Sequence, residues 1–463
     1  MSANDTLTRE FAALLRAWPA EGDELSAIAR LLLLDGLAVA LAGAGEPGPQ
    51  LVGTLARENA CRPVASVIGS DLATSPENAA RINGMAMHVL DFEPMWNPAN
   101  HALSPILPAL LALGESLEAA GAPAQGAPLQ RALLKGIEAQ GRLRLSSQQI
   151  EPRDLTLHPP GLVGPIAAAI ACADMLNLDE AATVAAIGIA ASRVCGLMAN
   201  VGSMTKALHC GDSAAHGLEA ALMASRGFTA DVDALGSPRG FGAAYFGERF
   251  DRAPLLALMV EPRVLNPGPA WKLFPSQYGT HFVITAALDC REEIGSADGI
   301  AEVAITTPVM PYIDRPKPRT GLDGKFSLQY CAALALLDGE VRFPSFSDQR
   351  RFSPDIVALL DRISLTQTPD IPGRFDFMHV DVAVTLADGR QVTRRCKGPL
   401  GSWSRPVPPA HIEAKAHDLI DGVLDGTQSA RFWQTMTLPA DQLRISALMQ
   451  SLRLQPGCQA KNI

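Results

Sequence analysis

A stretch with few charges, residues 202–224, carries one lysine and two histidines. Lys206, His209 and His216 stand among small and apolar residues, where an exposed helix would carry many more charged side chains. Burial disfavours the charged form of lysine and histidine, lowers their pKa and makes either a better proton acceptor near neutral pH. The alternative is that Lys206 extends to solvent while the histidines cap or pack. The stretch therefore predicts either a site that handles protons or ordinary packing.

Two further histidines lie in proline-bearing loops, each just before an apolar segment. His101 ends a loop that begins at Asp91 and holds Pro94 and Pro98, and His158 stands before Pro-Pro-Gly. Such a histidine can be an ordinary residue at a helix start. Since the N-terminus of a helix favours nearby anions, the same position also suits a carboxylate-bearing substrate. The repetition of the pattern favours the functional interpretation.

The helix ahead of the Asp91 loop is marked by Ser75, an N-cap residue followed by proline at the first helical position. It should run through Met87, and Asp179 is predicted to cap a later helix. Near its end, His88 and Asp91 are three residues apart, which predicts that they lie on one helical face. An acid would then stand beside an imidazole.

A later loop, residues 271–281, brings three more polar side chains into one short segment. Lys272, Tyr278 and His281 occur there just before a helix predicted from about residue 282. Together with His209, the latter two are candidates for substrate binding. The loop therefore brings three candidate site residues together.

No familiar cofactor or metal motif is present. The glycines of residues 236–242 follow no strand, which excludes a dinucleotide-binding or phosphate-binding loop. The eight cysteines are scattered, with neither a C-x-x-C pair nor a Cys/His cluster at zinc-like spacing. We therefore predict reduced core thiols and no metal site.

The elements that must position these residues are mostly helices. Apolar residues at 25–41 cover most of a helix circumference, so Asp35 within it is a buried acid that needs a partner. The pattern then changes, since residues 301–306 alternate as a strand and Asp388-Gly389 is a hairpin turn signal. The predicted fold class is mainly α, a large all-helical domain with a smaller α+β domain. The predicted divisions are the helical domain (1–266), the α+β domain (267–400) and a C-terminal helical segment that returns to the main domain (401–463).

The length and net charge of the chain limit its domain number, its partners and its location. A chain of 463 residues exceeds what one core normally supports, and a formal net charge of -9 argues against a nucleic-acid or anionic-membrane partner. Residues 1–15 lack a continuous apolar region, so we predict no signal peptide. The apolar run at 31–44 contains Asp35 and falls short of the roughly 20 residues that span a bilayer. A cytoplasmic location is predicted.

These stretches resemble the MmgE/PrpD family, whose members include 2-methylcitrate dehydratase, cis-aconitate decarboxylase and iminodisuccinate epimerase. The similarity is densest at residues 83–107, 136–143, 158–168, 205–224, 272–281 and 326–339. The resemblance implies a helical main domain, an α/β lid, a site between them, a homodimer and no metal or organic cofactor. The active-site residues that it implies are Asp91, His101, His158, Lys206 and Lys272.

Two positions depart from the family pattern. Dehydratases and decarboxylases of the family commonly have Asp-Phe-Asp-Asp-Thr where this chain has Asp91-Phe-Glu-Pro-Met95. Gln277 stands where the decarboxylases have a histidine, which removes one candidate proton donor. We add Met95 and Gln277 to the predicted substrate-binding residues.

The activities known in the family share the handling of a proton at a carbon next to a carboxylate. Lys206 and Lys272 would converge on one anionic ligand, without which they would repel each other. His101 or His158 would be the base, with Asp91 holding the imidazole tautomer. The predicted activity is that of a dehydratase-type lyase on a small di- or tricarboxylate, and the two departures make an epimerase the first alternative. The alternatives are an epimerase of an iminodisuccinate-like dicarboxylate, a cis-aconitate-type decarboxylase and a non-catalytic carboxylate-binding protein.

Overall fold

The computed structural model describes residues 6–454 of the chain. Its N-terminal part is a helical domain with one very short antiparallel ribbon, β1–β2, which is a small exception to the predicted all-helical character. The elements in chain order are α1 (Leu7–Ala17), α2 (Asp23–Gly43), α3 (Pro47–Glu58), β1 (Ala65–Ser66), β2 (Ala73–Thr74), α4 (Pro76–Val89), α5 (Leu103–Ala119), α6 (Gly126–Ser146), α7 (Pro159–Met175), α8 (Glu180–Ala191), α9 (Met204–Ala224), α10 (Phe241–Phe246) and α11 (Ala253–Leu256).

Helix α9, which contains the lysine and histidines singled out above, lies at the centre of this domain against α4 and α7. Small residues allow the close approach. A Cβ atom at Gly217 would lie 2.4 Å from Cβ of Ala168, and one at Gly211 would lie 2.3 Å from the carbonyl oxygen of Arg81. Because neither contact leaves room for a side chain, α9 packs closely against α4 and α7. This packing holds the polar residues of α9 in fixed positions.

Helix α2 is buried over most of its length. Its 21 residues are long and apolar enough to cross a membrane, which exceeds the length predicted for this segment. In the structure, however, α2 packs against α4 and α17, and Asp35 within it lies 2.8 Å from Nζ of Lys415. The buried acid thus has the partner that its position required, and α2 serves as a core helix.

The second unit is built on a mixed four-stranded sheet with strand order β4-β3-β5-β6. The β3–β4 pair is parallel and the other pairs are antiparallel, and α12 and α14 pack against the sheet and each other. The predicted β5–β6 hairpin is present, with Gly389 at a φ of +87° in its turn. The elements are α12 (Tyr278–Ile294), β3 (Ile300–Thr307), α13 (Gly321–Gly324), α14 (Leu328–Asp338), α15 (Asp348–Arg351), α16 (Pro354–Leu360), β4 (Ile363–Gln367), β5 (Val380–Leu386) and β6 (Gln391–Cys396).

Three helices end the described chain, and two of them pack on the helical domain: α17 contacts α2, and α19 contacts α5. Residues 455–463 of the predicted C-terminal segment lie outside the described residues. The helices are α17 (Pro409–Val423), α18 (Gly426–Met436) and α19 (Ile445–Ser451).

The predicted fold class is confirmed, a mainly helical chain with a small mixed sheet. Two predicted N-caps are also present, since Ser75 Oγ accepts from the Asn78 N–H at 3.4 Å and the Asp179 carboxylate accepts from the Ala182 N–H at 2.8 Å. The prediction of core thiols is wrong for Cys195, which is exposed, and for Cys61, which is half-buried, while Cys458 lies outside the described residues.

Candidate active site

A cavity with about 530 Å³ of empty space lies where the helical domain meets the α+β domain. Its walls come from the loops before α5 and α7, from the first turn of α9 and from the segment that leads into α12. Three of the predicted site residues, Lys272, His209 and His281, are buried but do not line it. The predicted residues that do line it are Asp91, Met95, His101, His158, Lys206, Gln277 and Tyr278.

Asp91 lies just beyond the end of α4. The helix ends at Val89, Leu90 caps it, and Asp91 has a φ of +51°, a left-handed conformation that residues other than glycine seldom adopt. Because this residue leaves the helical path, His88 and Asp91 do not lie on one helical face. That prediction is wrong, and the turn instead directs the two side chains to different partners.

The Asp91 carboxylate lies between two ammonium groups. Nζ of Lys206, from α9, is 2.6 Å from Oδ2, and Lys272, from the loop before α12, donates a hydrogen bond to Oδ1. Burial alone would raise the pKa of Asp91, but the charges of the two lysines hold that pKa well below its usual range. The group therefore carries one net positive charge at the edge of the cavity.

This arrangement corrects two predictions about Asp91. In the free protein the anion on which Lys206 and Lys272 converge is the Asp91 carboxylate of the protein itself, which offsets the repulsion between them. In addition, Nε2 of His101 is 3.6 Å from Oδ1 of Asp91, which is too long for the hydrogen bond that would fix an imidazole tautomer. In this geometry the Asp91 carboxylate holds the ammonium groups of Lys206 and Lys272 in place.

Glu93, rather than Asp91, makes a short contact with an imidazole, that of His88. Its Oε1 atom is 2.6 Å from Nδ1 of His88 and 3.6 Å from Nδ1 of His101. The N–H and hydroxyl of Ser104 donate to the same carboxyl group at 2.8 and 2.6 Å. Burial nevertheless raises the pKa of Glu93 to about 8. Sequence reasoning missed Glu93 and His88 as site residues, although a second acid in a rigid loop was a signal that could have found them.

Four imidazoles form a row beside this carboxyl group: His101, His88, His158 and His209. Successive ring centroids are 4.8, 5.4 and 5.4 Å apart, and the Nδ1 atoms of His158 and His209 are 3.3 Å apart. Burial lowers the pKa of all four, and the charge of Lys206 lowers it further. The rings are therefore neutral at pH 7, and the two that line the cavity are able to accept a proton there.

The α+β domain contributes a neutral polar wall. Gln277 precedes α12, where its Oε1 accepts from the Gly279 N–H at 2.6 Å and its Nε2 donates to the Tyr312 hydroxyl at 3.2 Å. Burial raises the pKa of Tyr312, which keeps the phenol protonated. Tyr312 lines the cavity but lies in a short 3-10 helix, Pro311–Ile313, that gave no sequence signal.

The remaining predicted residues have supporting positions. Met95 pairs with Ala270 through two backbone hydrogen bonds of 3.1 and 2.7 Å, which tie the Asp91 loop to the segment that leads into α12. His281 is buried behind the cavity, with its ring 5.2 Å from that of Phe274 and 5.3 Å from that of Tyr278. We find that His281 is a packing residue in this geometry, whereas Tyr278 reaches the cavity.

Two groups of possible metal ligands occur among the described residues. They are His88 with His158 and Cys210, and His88 with Glu93 and His101, each with donor atoms within 4.8 Å of one another. However, Glu93 already accepts two hydrogen bonds, and burial raises the pKa of the Cys210 thiol well above its usual value. Neither group offers a full set of free, deprotonated ligands.

We therefore expect turnover to be independent of added metal. Purified protein treated for a long time with EDTA and then desalted should retain its rate, measured against a mock-treated sample. A loss of rate that Zn²⁺, Mg²⁺ or Fe²⁺ restores would contradict this expectation.

The buried Lys272 ammonium predicts that kcat/KM falls at alkaline pH. Burial lowers its pKa to about 8, although the adjacent Asp91 carboxylate opposes the shift. Below that pH the Lys272 ammonium is charged, and above it Lys272 is neutral and the group of Lys206, Asp91 and Lys272 loses its net positive charge, so kcat/KM should fall as the pH rises through about 8. In Lys272→Arg, any remaining activity should lose this decline, since a guanidinium stays charged. A wild-type profile that is level through this range would be inconsistent with a charged Lys272.

Comparison with known families decides the relationship. Residues 10–253 match the MmgE/PrpD N-terminal domain, and residues 274–438 match the MmgE/PrpD C-terminal domain. The chain belongs to the MmgE/PrpD family. This confirms the resemblance seen in the sequence. The break between the two matched regions falls just before the segment that carries Gln277 and Tyr278 in this MmgE/PrpD protein.

Several curated relatives of this MmgE/PrpD protein are named cis-aconitate decarboxylase. The Mus musculus protein is 32% identical over 392 residues, which cover 83% of this chain and 80% of the relative. The Homo sapiens protein is 33% identical over 355 residues, or 74% and 73% of the two chains. The Aspergillus terreus protein is 25% identical over 452 residues, or 92% and 91%. These relatives support a lyase-type enzyme; the predicted dehydratase subtype is not confirmed, and the decarboxylase alternative has the better support.

Proposed function

We propose that this protein is a cofactor-independent decarboxylase of cis-aconitate or a closely similar unsaturated tricarboxylate. The observation that carries the proposal is its 32–33% identity, over most of its length, to two relatives named cis-aconitate decarboxylase. The geometry supports it, since Lys206, His101 and His158 line one cavity. On this proposal, the departures from the family pattern at Met95 and Gln277 change how the substrate is bound and not which reaction takes place.

The reaction requires one proton from the enzyme or from water. When the CH2–COO⁻ arm of cis-aconitate loses CO2, the electrons of the broken C–C bond form a new C=C bond to the central carbon. The original double bond then gives its electrons to the neighbouring carbon, which takes up the proton. A trianion and one proton thus yield a dianion with a terminal methylene group and CO2. Each turnover therefore needs an acid beside the cavity.

Different side chains of the cavity bind the substrate and supply the proton. The ammonium of Lys206 pairs with a substrate carboxylate and offsets the negative charge that spreads through the transition state. His101 and His158 are neutral in the free protein because burial lowers their pKa. A bound trianion raises the pKa of an adjacent imidazole, so that one of them binds a proton and delivers it to carbon. Substrate binding is thus coupled to proton uptake.

A panel of substrates tests the reaction type. The protein is incubated separately with cis-aconitate, with hydroxylated tricarboxylates and with chiral iminodicarboxylates, while CO2 release, ultraviolet absorbance and optical rotation are recorded. Decarboxylation predicts CO2 and a loss of absorbance with cis-aconitate. A gain of absorbance from a hydroxy acid without CO2 would establish a dehydratase instead, a change in optical rotation alone would establish an epimerase, and no change in any sample would favour a binding protein.

A further inference from the structure

The backbone on both sides of Asp91 is held by buried lysines outside the cavity. Asp91 keeps a left-handed φ of +51°, which carries a strain that surrounding structure must offset. Its own N–H bonds the carbonyl of His88 at 2.8 Å. The carbonyls of the two flanking residues, Leu90 and Phe92, each accept a hydrogen bond from a lysine that is distant in sequence.

The first of these lysines comes from the α+β domain. Lys325 lies between α13 and α14, is 5% exposed and donates from Nζ to the Leu90 carbonyl at 3.3 Å. Its own carbonyl accepts from the Gln277 N–H at 3.0 Å. Since Leu90 caps α4, the ammonium also lies at the negative end of that helix. Lys325 therefore joins the helix end below Asp91 to the residue that forms the opposite wall of the cavity.

The second lysine comes from the C-terminal helices. Lys415, on α17, donates from Nζ to the Phe92 carbonyl at 2.7 Å, lies 3.8 Å from the centre of the Phe92 ring and pairs with Asp35 at 2.8 Å. Asp35 is fully buried, as is the part of α2 that carries it, residues 32–43. The buried ion pair thus holds the Lys415 ammonium beside the Phe92 carbonyl, next to Asp91.

We propose that Lys325 and Lys415 are positioning residues that clamp the Asp91 turn from two sides, so that its carboxylate stays between Lys206 and Lys272. Neither lysine lines the catalytic cavity. The clamp requires the α+β domain and α17 to be in place before the active-site charges are ordered. Its effect on turnover rests on the proposed function, whereas its effect on the Asp91 carboxyl does not.

The chain offers a matched control in Lys135. This lysine is 4% exposed and also bonds one carboxylate and one backbone carbonyl, those of Asp174 at 2.7 Å and Arg16 at 3.3 Å, away from the cavity. Lys135→Met should therefore cost stability as Lys415→Met does. It should leave the Asp91 turn undisturbed.

The experiment compares Lys325→Met, Lys415→Met and Lys135→Met. A double variant, Asp35→Leu/Lys415→Met, removes both buried charges, so that no unpaired charge destabilises the fold. Steady-state kcat and KM for cis-aconitate are measured below each melting temperature. In parallel, the pKa of Asp91 is read from its carboxyl ¹³C resonance, assigned by its absence in Asp91→Asn. This second readout is independent of turnover.

We expect the Lys325 variant and both Lys415 variants to lose kcat by about 10- to 100-fold with little change in KM, because displacing a catalytic group by about 1 Å can cost about 100-fold. The carboxyl pKa of Asp91 should rise in the same three variants and stay unchanged in Lys135→Met. Wild-type kcat with an unshifted Asp91 in the Asp35→Leu/Lys415→Met variant would overturn the clamp, as would equal kcat losses in the Lys135 and Lys415 variants. If wild-type protein does not decarboxylate cis-aconitate, the proposed function fails and the carboxyl titration alone decides the clamp.

Discussion

Replacing Asp91 by Asn is expected to lower kcat/KM by about 1,000-fold and to destabilise the fold. The carboxylate separates the ammonium groups of Lys206 and Lys272, and Lys272 is fully buried. At an effective dielectric constant of about 20, two like charges about 5 Å apart repel by about 3 kcal/mol. Removing one partner of a buried ion pair lowers the free energy of unfolding by about 3–5 kcal/mol. One lysine should then lose its proton or move, and the cavity loses its ordered cation.

Asp174 provides the control for this substitution. It too lies between two cations, 2.7 Å from Nζ of Lys135 and 2.9 Å from Nε of Arg131, but outside the cavity. Asp174→Asn should lower the melting temperature and leave kcat/KM close to that of the wild type. If Asp91→Asn retains kcat/KM within about tenfold of the wild type while its melting temperature falls like that of Asp174→Asn, Asp91 is structural only and the proposed site is wrong.

The second large effect is expected at the two histidines of the cavity wall. We expect His101→Gln or His158→Gln to lower kcat by about 100- to 10,000-fold, the range for loss of a general acid or base. The larger loss identifies the ring that delivers the proton. A residue that only holds the other ring in place should instead lose less, with a shifted pH profile. Steady-state kinetics across the acid to neutral range separates the two.

His216 is the matched control for these variants. It lies on α9, near His209, and its Nδ1 atom is 3.0 Å from the Arg193 carbonyl oxygen, yet it does not line the cavity. His216→Gln should keep a kcat near that of the wild type. Should both cavity histidines tolerate substitution as well as His216 does, the proton must come from another group, and the Tyr312 phenol is then the first to test.

The fold was largely predictable because its signals are local. Ser75 and Asp179 cap helices where the sequence placed them, and Asp388-Gly389 forms the predicted hairpin turn. Strand β4 was not predicted, since its five residues pair with β3 in parallel and the pairing depends on contacts remote in sequence. The length of α2 was underestimated because Asp35 was taken as an interruption, whereas Lys415 neutralises it.

The residue types at the site were also predictable, but their pairing was not. Lys206 and Lys272 lie 115 and 181 positions from Asp91, and no helical or strand period relates such separations. The i, i+3 rule failed for His88 and Asp91 because it assumes that the helix continues, and a left-handed residue ends it. Lys325 and Lys415 looked ordinary in sequence, since only the fold shows that each reaches a backbone carbonyl beside Asp91.

The most direct measurement of the central claim is ¹³C NMR of cis-aconitate, uniformly labelled, with the purified protein in D2O. Decarboxylation with enzymic delivery of a proton predicts labelled CO2 and bicarbonate, a terminal methylene carbon in the product and one deuterium on the carbon that was part of the original double bond. At equal protein concentration these signals should grow about 1,000-fold more slowly with Asp91→Asn. Appearance of a hydroxylated tricarboxylate without labelled CO2, or an unchanged substrate spectrum with wild-type protein, would contradict the assignment of this chain as a decarboxylase.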